Sequence, residues 1–146
     1  LKEVHSIKFA ISWSGACHDG IGVFKGWFDE YYQEALENGY AKIPMFWREN
    51  LLLSKKWFDD IRDTTPMMGL RMYEGPILAI AGDKDELVPY YHAKEIVENS
   101  KNENSKTVIV KNSNHTFNVL MPNESKANDV IEQTIQWINK VLMMNR

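Results

Sequence analysis

The chain has 146 residues, of which 44% are hydrophobic and 25% are charged, and its formal net charge is −3. These values are typical of one ordinary globular domain. Because basic residues form no stripe along the sequence, we expect no nucleic-acid partner. No apolar run approaches the roughly 18 residues of a membrane span, and the lone Cys17 suits a reducing, cytoplasmic compartment.

In chain order, the first half of the sequence predicts one strand followed by helical segments. The predicted elements are a strand at 7–13, a helix at 27–38, irregular or short-helical cover at 40–53 and a helix at 54–63. Gly39 is placed to end the first helix, because glycine readily adopts the left-handed conformation that closes many helices. Pro44 interrupts the aromatic-rich cover, and Pro66 follows the end of the second helix.

The second half of the sequence alternates between strands and helices. The predicted elements are a strand at 77–81, a helix at 90–99, a strand at 107–110 and a helix at 130–142. In the last helix an apolar stripe recurs at three- and four-residue steps, with Trp137 beside it; its members are Val130, Ile131, Thr134, Ile135, Ile138, Val141 and Leu142. The alternation predicts an α/β fold, in which a parallel sheet of about three strands is flanked by helices.

A sheet of about three strands leaves one apolar edge of its first strand without a neighbour. Such an edge tends to pair with another chain. We therefore expect either further strands upstream of Leu1 or self-association of the chain through this exposed edge.

Two ionisable residues follow the two clearest strands. Asp85 lies just after the strand at 77–81, and His115 lies just after the strand at 107–110. Because the carboxyl ends of parallel strands meet at one edge of a sheet, we expect these two side chains to lie side by side. A carboxylate bound to one imidazole nitrogen fixes the tautomer and stabilises the imidazolium that forms on proton uptake. The pattern therefore predicts the acid and the base of a nucleophilic triad.

The two segments that carry these residues resemble those of a known family. Pro76–Pro89 resembles the seventh strand and acid loop of the α/β-hydrolase family, and Asn112–Phe117 resembles the loop after its eighth strand. The resemblance implies that the acid is Asp85 rather than Asp83. It also implies that His115 is the general base.

The same resemblance implies how the chain relates to a whole domain. Residues 1–146 correspond to the C-terminal part of an α/β-hydrolase domain, with a helical cap or lid insertion at 18–70. The nucleophilic serine and the oxyanion-hole amides are then expected upstream of Leu1, so that this piece alone is inactive. The implied activity is hydrolysis of carboxylic esters or related acyl bonds of small molecules, without a cofactor.

Ser14 is the alternative nucleophile. The segment Ser12–Ala16 is a small-x-Ser-x-small turn after a predicted strand, which is the pattern of a nucleophile elbow. The residues that follow are a poor start for the helix such a turn requires, and no clean strand is evident between 20 and 76. We therefore favour a strand-end serine at a pocket rim, and we interpret Cys17 as a small semi-buried residue.

We expect no metal site. Asp83 and Asp85 are spaced as in a calcium loop, but Leu87 and Val88 stand where further oxygen ligands are needed. We expect Asp85 to be buried and the acidic residues beside it to be solvated. His92 lacks a partner at metal-ligand spacing and is interpreted as a surface or hydrogen-bonded residue of its helix.

Two other interpretations of the chain remain open. In one, it is a non-catalytic binding or assembly module with an α/β-hydrolase-like fold, and Asp85 and His115 are structural polar residues. In the other, it is part of a serine peptidase of the prolyl-oligopeptidase type, so that the bond cleaved is an amide.

Overall fold

The computed structural model describes residues 7–45 and 48–144 of the chain. The chain divides into two compact units, which we call unit 1 (residues up to Cys17 and from Met67 onward) and unit 2 (His18–Pro66). Unit 2 lies within the range 18–70, whose role as a cap remains a prediction. Among the described helices, none combines the length and the apolar character needed to cross a bilayer.

Five strands and five α-helices are formed by the described residues. In chain order they are β1 (Ala10–Trp13), α1 (Lys25–Asn38), β2 (Tyr40–Ile43), β3 (Leu51–Ser54), α2 (Lys55–Arg62), α3 (Pro66–Met72), β4 (Ile77–Gly82), α4 (Tyr91–Glu98), β5 (Lys106–Val110) and α5 (Ala127–Met144). The sequence does not predict α3, because a proline usually interrupts a helix. Proline has a fixed backbone angle that suits the first turn of a helix, and here α3 begins at it.

Unit 1 is built on a parallel sheet with the strand order β1-β4-β5. All six residues of β4 are buried, as expected of a central strand covered on both faces. One face of the sheet packs against α3 and α4 through a cluster that includes Ile77, Ala79, Ala81, Leu70, Tyr73, Ala93 and Ile96. The other face packs against α5 through Leu78, Ile80, Val110, Phe117, Val130, Trp137 and Val141. The predicted α/β fold class is confirmed.

The register of the sheet places the carboxyl ends of β4 and β5 next to each other. Gly82 at the end of β4 pairs with Val110 at the end of β5. On the other side of β4, Trp13 at the end of β1 pairs with Ile80. The loops that leave these three strands therefore begin at the same edge of the sheet.

The prediction for the last helix was partly wrong about which residues face the core. Val130, Thr134, Trp137 and Val141 are buried, whereas three members of the predicted stripe are 45–52% exposed: Ile131, Ile135 and Leu142. Trp137 is 3% exposed, and its Nε1–H donates to the backbone oxygen of Asn104 at 3.0 Å. Burying this large ring with its hydrogen bond rotates the helix away from the purely aliphatic stripe.

Unit 2 contains a β-hairpin where the sequence predicted irregular or short-helical cover. Strands β2 and β3 are antiparallel, and their register runs from Tyr40 opposite Ser54 to Ile43 opposite Leu51. Each strand has only four residues, so its pattern is too short to be recognised. The hairpin is stabilised by packing on an aromatic and aliphatic cluster formed by Phe28, Ala35, Ala41, Ile43, Leu53 and Phe58.

The two helices of unit 2 lie where the sequence predicts them. Helix α1 ends at Gly39, whose φ of 80° is the left-handed conformation expected of a closing glycine. Helix α2 begins after Ser54, whose hydroxyl oxygen accepts the Trp57 N–H at 3.1 Å and so caps the helix.

Candidate active site

Asp85 lies in the loop after β4, and its carboxylate is held by that loop's own backbone. Its side chain is 0% exposed. Oδ1 accepts the Leu87 N–H at 3.0 Å and the Val88 N–H at 2.8 Å. Bonds of this kind, from an aspartate to amides two and three residues ahead, are a common way to fix a tight turn. They leave the second oxygen, Oδ2, available for another donor.

That second donor is His115, in the loop after β5. The Nδ1 atom of His115 lies 2.9 Å from Asp85 Oδ2. Because a carboxylate can only accept, we assign the ring proton to Nδ1, which leaves a lone pair on Nε2. The imidazole is 35% exposed, and among the described residues no hydrogen bond to Nε2 is formed. The pair can therefore accept a proton at Nε2 and stabilise the resulting imidazolium.

The loop after β4, which carries Asp85, and the loop after β5, which carries His115, are joined directly to each other; we call them the acid loop and the histidine loop. The Lys84 N–H donates to the Ser113 carbonyl at 2.9 Å, and the Ser113 N–H donates to Asp83 Oδ1 at 3.3 Å. Asp83 also lies 3.7 Å from the Lys111 ammonium, and its side chain is only 18% exposed. The expectation that Asp83 is solvated was therefore wrong, because this carboxylate links the two loops, whereas Glu86 is exposed as expected.

Ser14, at the end of β1, is directed at the backbone of the histidine loop. Its hydroxyl donates to the His115 carbonyl oxygen at 2.9 Å, and the residue is 8% exposed. Its φ of 49° lies in the left-handed region, as in a sharp turn. Residues 15–21 form no helix after this turn. The hydroxyl thus contacts the main chain of His115 rather than the Nε2 atom that would activate a nucleophile.

A second polar cluster, which the sequence did not predict, lies in the core of unit 1. Cys17 and His92 are each 1% exposed, and the Cys17 sulfur lies 3.4 Å from His92 Nδ1 and 3.7 Å from Glu95 Oε2. The Cys17 N–H also donates to His92 Nδ1 at 3.3 Å. Of the two alternatives predicted for His92, the hydrogen-bonded residue is confirmed and the surface residue is wrong; Cys17 is fully rather than partly buried. Cys17 and His92 are 75 residues apart, so no local sequence pattern predicts their contact.

Comparison with solved structures shows the fold. The chain resembles a Paleococcus ferrophilus monoacylglycerol lipase (TM-score 0.66, 12% identity, 94% of this chain and 60% of that chain). It also resembles Est1E from Butyrivibrio proteoclasticus (TM-score 0.54, 19% identity, 64% and 35%) and the esterase domain of a Rhodothermus marinus protein (TM-score 0.51, 10% identity, 78% and 45%). The chain thus spans 35–60% of these proteins. The likenesses confirm the predicted α/β-hydrolase fold.

Sequence comparison identifies the family. No curated protein matches the chain. The sequence model of the prolyl oligopeptidase family matches residues 17–145, which include α1 to α5 and both candidate loops. Because this match covers most of the sequence, the chain belongs to the prolyl oligopeptidase family, which is of the α/β-hydrolase type.

Proposed function

We propose that this chain supplies the acid and the base of a Ser-His-Asp triad in a hydrolase of carboxylic esters or related acyl bonds. The observation that carries the proposal is the 2.9 Å contact between Asp85 Oδ2 and His115 Nδ1 at the carboxyl edge of the sheet. The partly exposed ring and the fully buried carboxylate suit a base that meets substrate and an acid that does not.

In the proposed reaction, a serine upstream of Leu1 attacks the acyl carbon, and His115 Nε2 takes the serine proton. The imidazolium then gives that proton to the leaving alcohol or amine, and Asp85 stabilises the positive charge meanwhile. A water molecule, deprotonated by His115, then attacks the acyl-enzyme, and the carboxylic acid product leaves. We place the nucleophile upstream of Leu1, because the Ser14 hydroxyl contacts the His115 carbonyl. On this proposal, residues 1–146 alone are inactive.

A peptidase is the second candidate, and the family match favours it. Ester and amide hydrolysis use the same three groups, so the Asp85–His115 pair serves either reaction. The two are distinguished by the ratio of kcat/KM values for an ester and an amide that share one acyl group. A small-molecule acyl substrate is the partner we propose.

Self-association and the cytoplasmic location remain predictions. In the described part of the chain β1 pairs only with β4. Its residues Ile11 and Trp13 are 37% and 48% exposed. This exposed apolar edge supports the proposal that copies of the chain associate through β1.

The decisive experiment is labelling of the full-length gene product by a fluorophosphonate probe, which reacts with activated serines. We expect His115→Ala to reduce the labelling rate by roughly 10⁶-fold and Asp85→Asn by roughly 10⁴-fold, by analogy with subtilisin. The matched control is Glu86→Gln, which neutralises an exposed acid in the same loop and should label normally. Unchanged labelling of His115→Ala would contradict the role of His115 as the base, and no labelling of the wild-type protein would favour the non-catalytic module.

A further inference from the structure

Two asparagines bracket His115, and the side chain of each binds the backbone of the other. The Asn118 N–H donates to Asn114 Oδ1 at 2.9 Å, and the Asn114 N–H donates to Asn118 Oδ1 at 3.0 Å. Asn114 Oδ1 also accepts the N–H and the hydroxyl of Thr116, both at 3.1 Å. These reciprocal bonds close a ring around residues 115–117, and we call the pair the asparagine clasp.

Asn118 connects the clasp to the chain on both sides of the histidine loop. It is 4% exposed, and its Nδ2 donates to the Asn112 carbonyl at 2.7 Å and to the Glu124 carbonyl at 3.3 Å. Since Oδ1 accepts from Asn114, both polar atoms of this amide have partners, and those partners set its orientation. A buried polar network whose members are all satisfied favours a single geometry.

The clasp coincides with a backbone conformation that side chains rarely adopt. Phe117 and Asn118 have φ values of 55° and 57°, in the left-handed region where asparagine is enriched and phenylalanine is not. Such a conformation persists only where its surroundings fix it. Phe117 is 7% exposed and packs in the cluster that contains Val130 and Trp137. This packing and the clasp together hold the loop in its turn.

The two members of the Asp85–His115 pair are held by different devices. The Asp85 carboxylate is fixed by the amides of Leu87 and Val88 in its own loop. The His115 backbone is fixed by the clasp and by the Ser14 hydroxyl. A change in the clasp should therefore move the base and leave the acid where it is.

We infer that Asn114 and Asn118 are positioning residues, which hold the His115 ring against Asp85 in the geometry that proton transfer requires. Because this role concerns the base of the triad, it rests on the proposed function. A displacement of about 1 Å costs a catalytic group roughly 10²-fold in rate. Weakening the clasp is therefore expected to lower the rate of the reaction even in a variant that remains folded.

The test compares Asn114→Ala with Asn114→Asp in the full-length protein. Alanine removes an oxygen that accepts three hydrogen bonds, whereas aspartate keeps an acceptor in the same place. The matched control is Asn102→Ala. The Asn102 side chain makes similar loop contacts at the opposite end of β5, to Asn104 and Glu74, both at 3.0 Å. The measurements are the fluorophosphonate labelling rate, the downfield proton NMR signal of the His115 Nδ1–H, and thermal unfolding.

We expect Asn114→Ala to label roughly 10²-fold more slowly and to lose the downfield His115 signal. Asn114→Asp and Asn102→Ala should keep both, even where their thermal unfolding shifts. Normal labelling together with an intact signal in Asn114→Ala would overturn the inference. If the wild-type protein is not labelled, the proposed function fails, and the Nδ1–H signal alone decides whether the clasp positions the ring. If Asn114→Ala does not fold, Asn118→Gly, which suits the left-handed backbone, replaces it.

Discussion

Replacing Gly82 with alanine tests whether the acid loop and the histidine loop are built to fit against each other. A Cβ atom at Gly82 would lie 2.1 Å from the Ser113 carbonyl oxygen and 2.7 Å from the Asn114 carbonyl oxygen. Both are backbone atoms, so no side-chain rotation relieves the overlap. Ordinary van der Waals contact begins near 3.4 Å, so the histidine loop must retreat by about 1.3 Å from its 2.1 Å approach.

Moving the histidine loop away from Gly82 lowers the stability of the protein, because the two loops are hydrogen-bonded to each other next to this residue. It strains the bond from the Lys84 N–H to the Ser113 carbonyl and the bond from the Ser113 N–H to Asp83. Overpacking typically costs about 1–3 kcal/mol, and a lost hydrogen bond costs about 1 kcal/mol. Alanine also lowers the conformational entropy of the unfolded chain, which raises the free energy of unfolding by about 0.4–1 kcal/mol. We therefore expect Gly82→Ala to lower the free energy of unfolding by about 2 kcal/mol.

Urea unfolding measures this change, and the downfield NMR signal of the His115 Nδ1–H reports whether the pair with Asp85 survives. The matched control is Gly69→Ala in α3, where a Cβ atom meets nothing within 4 Å. Because alanine has the higher helix propensity, this substitution should raise the free energy of unfolding by about 0.5–1 kcal/mol. A Gly82→Ala protein as stable as the wild type, with its His115 signal intact, would refute the reasoning that the two loops are in close contact here.

Two further substitutions test other contacts of unit 1. Ser14→Ala removes the hydroxyl that binds the His115 carbonyl and should lower the free energy of urea unfolding by about 1 kcal/mol. The full-length variant should still be labelled by a fluorophosphonate, and loss of all labelling with the His115 Nδ1–H signal intact would instead identify Ser14 as the nucleophile. Burial raises the pKa of Tyr73 above its ordinary value of 10.0, so the folded protein keeps a proton that the unfolded chain releases. The stability from this group is present below about pH 10 and is lost as the pH rises through the higher folded pKa. Tyr73→Phe should lack that alkaline loss, and parallel stability curves for the two proteins near pH 10–11 would contradict this.

The parts of the fold that the sequence predicted are those whose signals are local. The strand β4 is apolar at every position, and a run of this kind has few alternatives to a buried parallel strand. Given two such strands, the topology of a parallel sheet brings the residues after their carboxyl ends together. This is why the contact between Asp85 and His115 was predictable from residues that are 30 positions apart.

The features that were not predicted depend on contacts between distant or weakly patterned residues. The β2–β3 hairpin has strands of four residues and is stabilised by packing in unit 2 rather than by propensity. His92 is interior, and its Nδ1 atom contacts Cys17, which lies 75 residues away in the chain, so helix periodicity does not reveal the contact. The spacing of Asn114 and Asn118 was visible in the sequence. Asparagines are common in every turn, however, so only the structure shows that these two bind each other.

The Asp85–His115 pair is fixed by contacts within unit 1. Asp85 is oriented by the amides of its own loop, and His115 is held by the asparagine clasp and Ser14. The close approach of Gly82 to the backbone of Ser113 and Asn114 sets the spacing of the two loops. All of these contacts lie within one compact unit. Groups that are held in place before substrate arrives need no reorganisation during the reaction. On the proposed function, His115 serves a serine upstream of Leu1, and such a base requires this preorganisation because the two residues are not aligned by a shared turn.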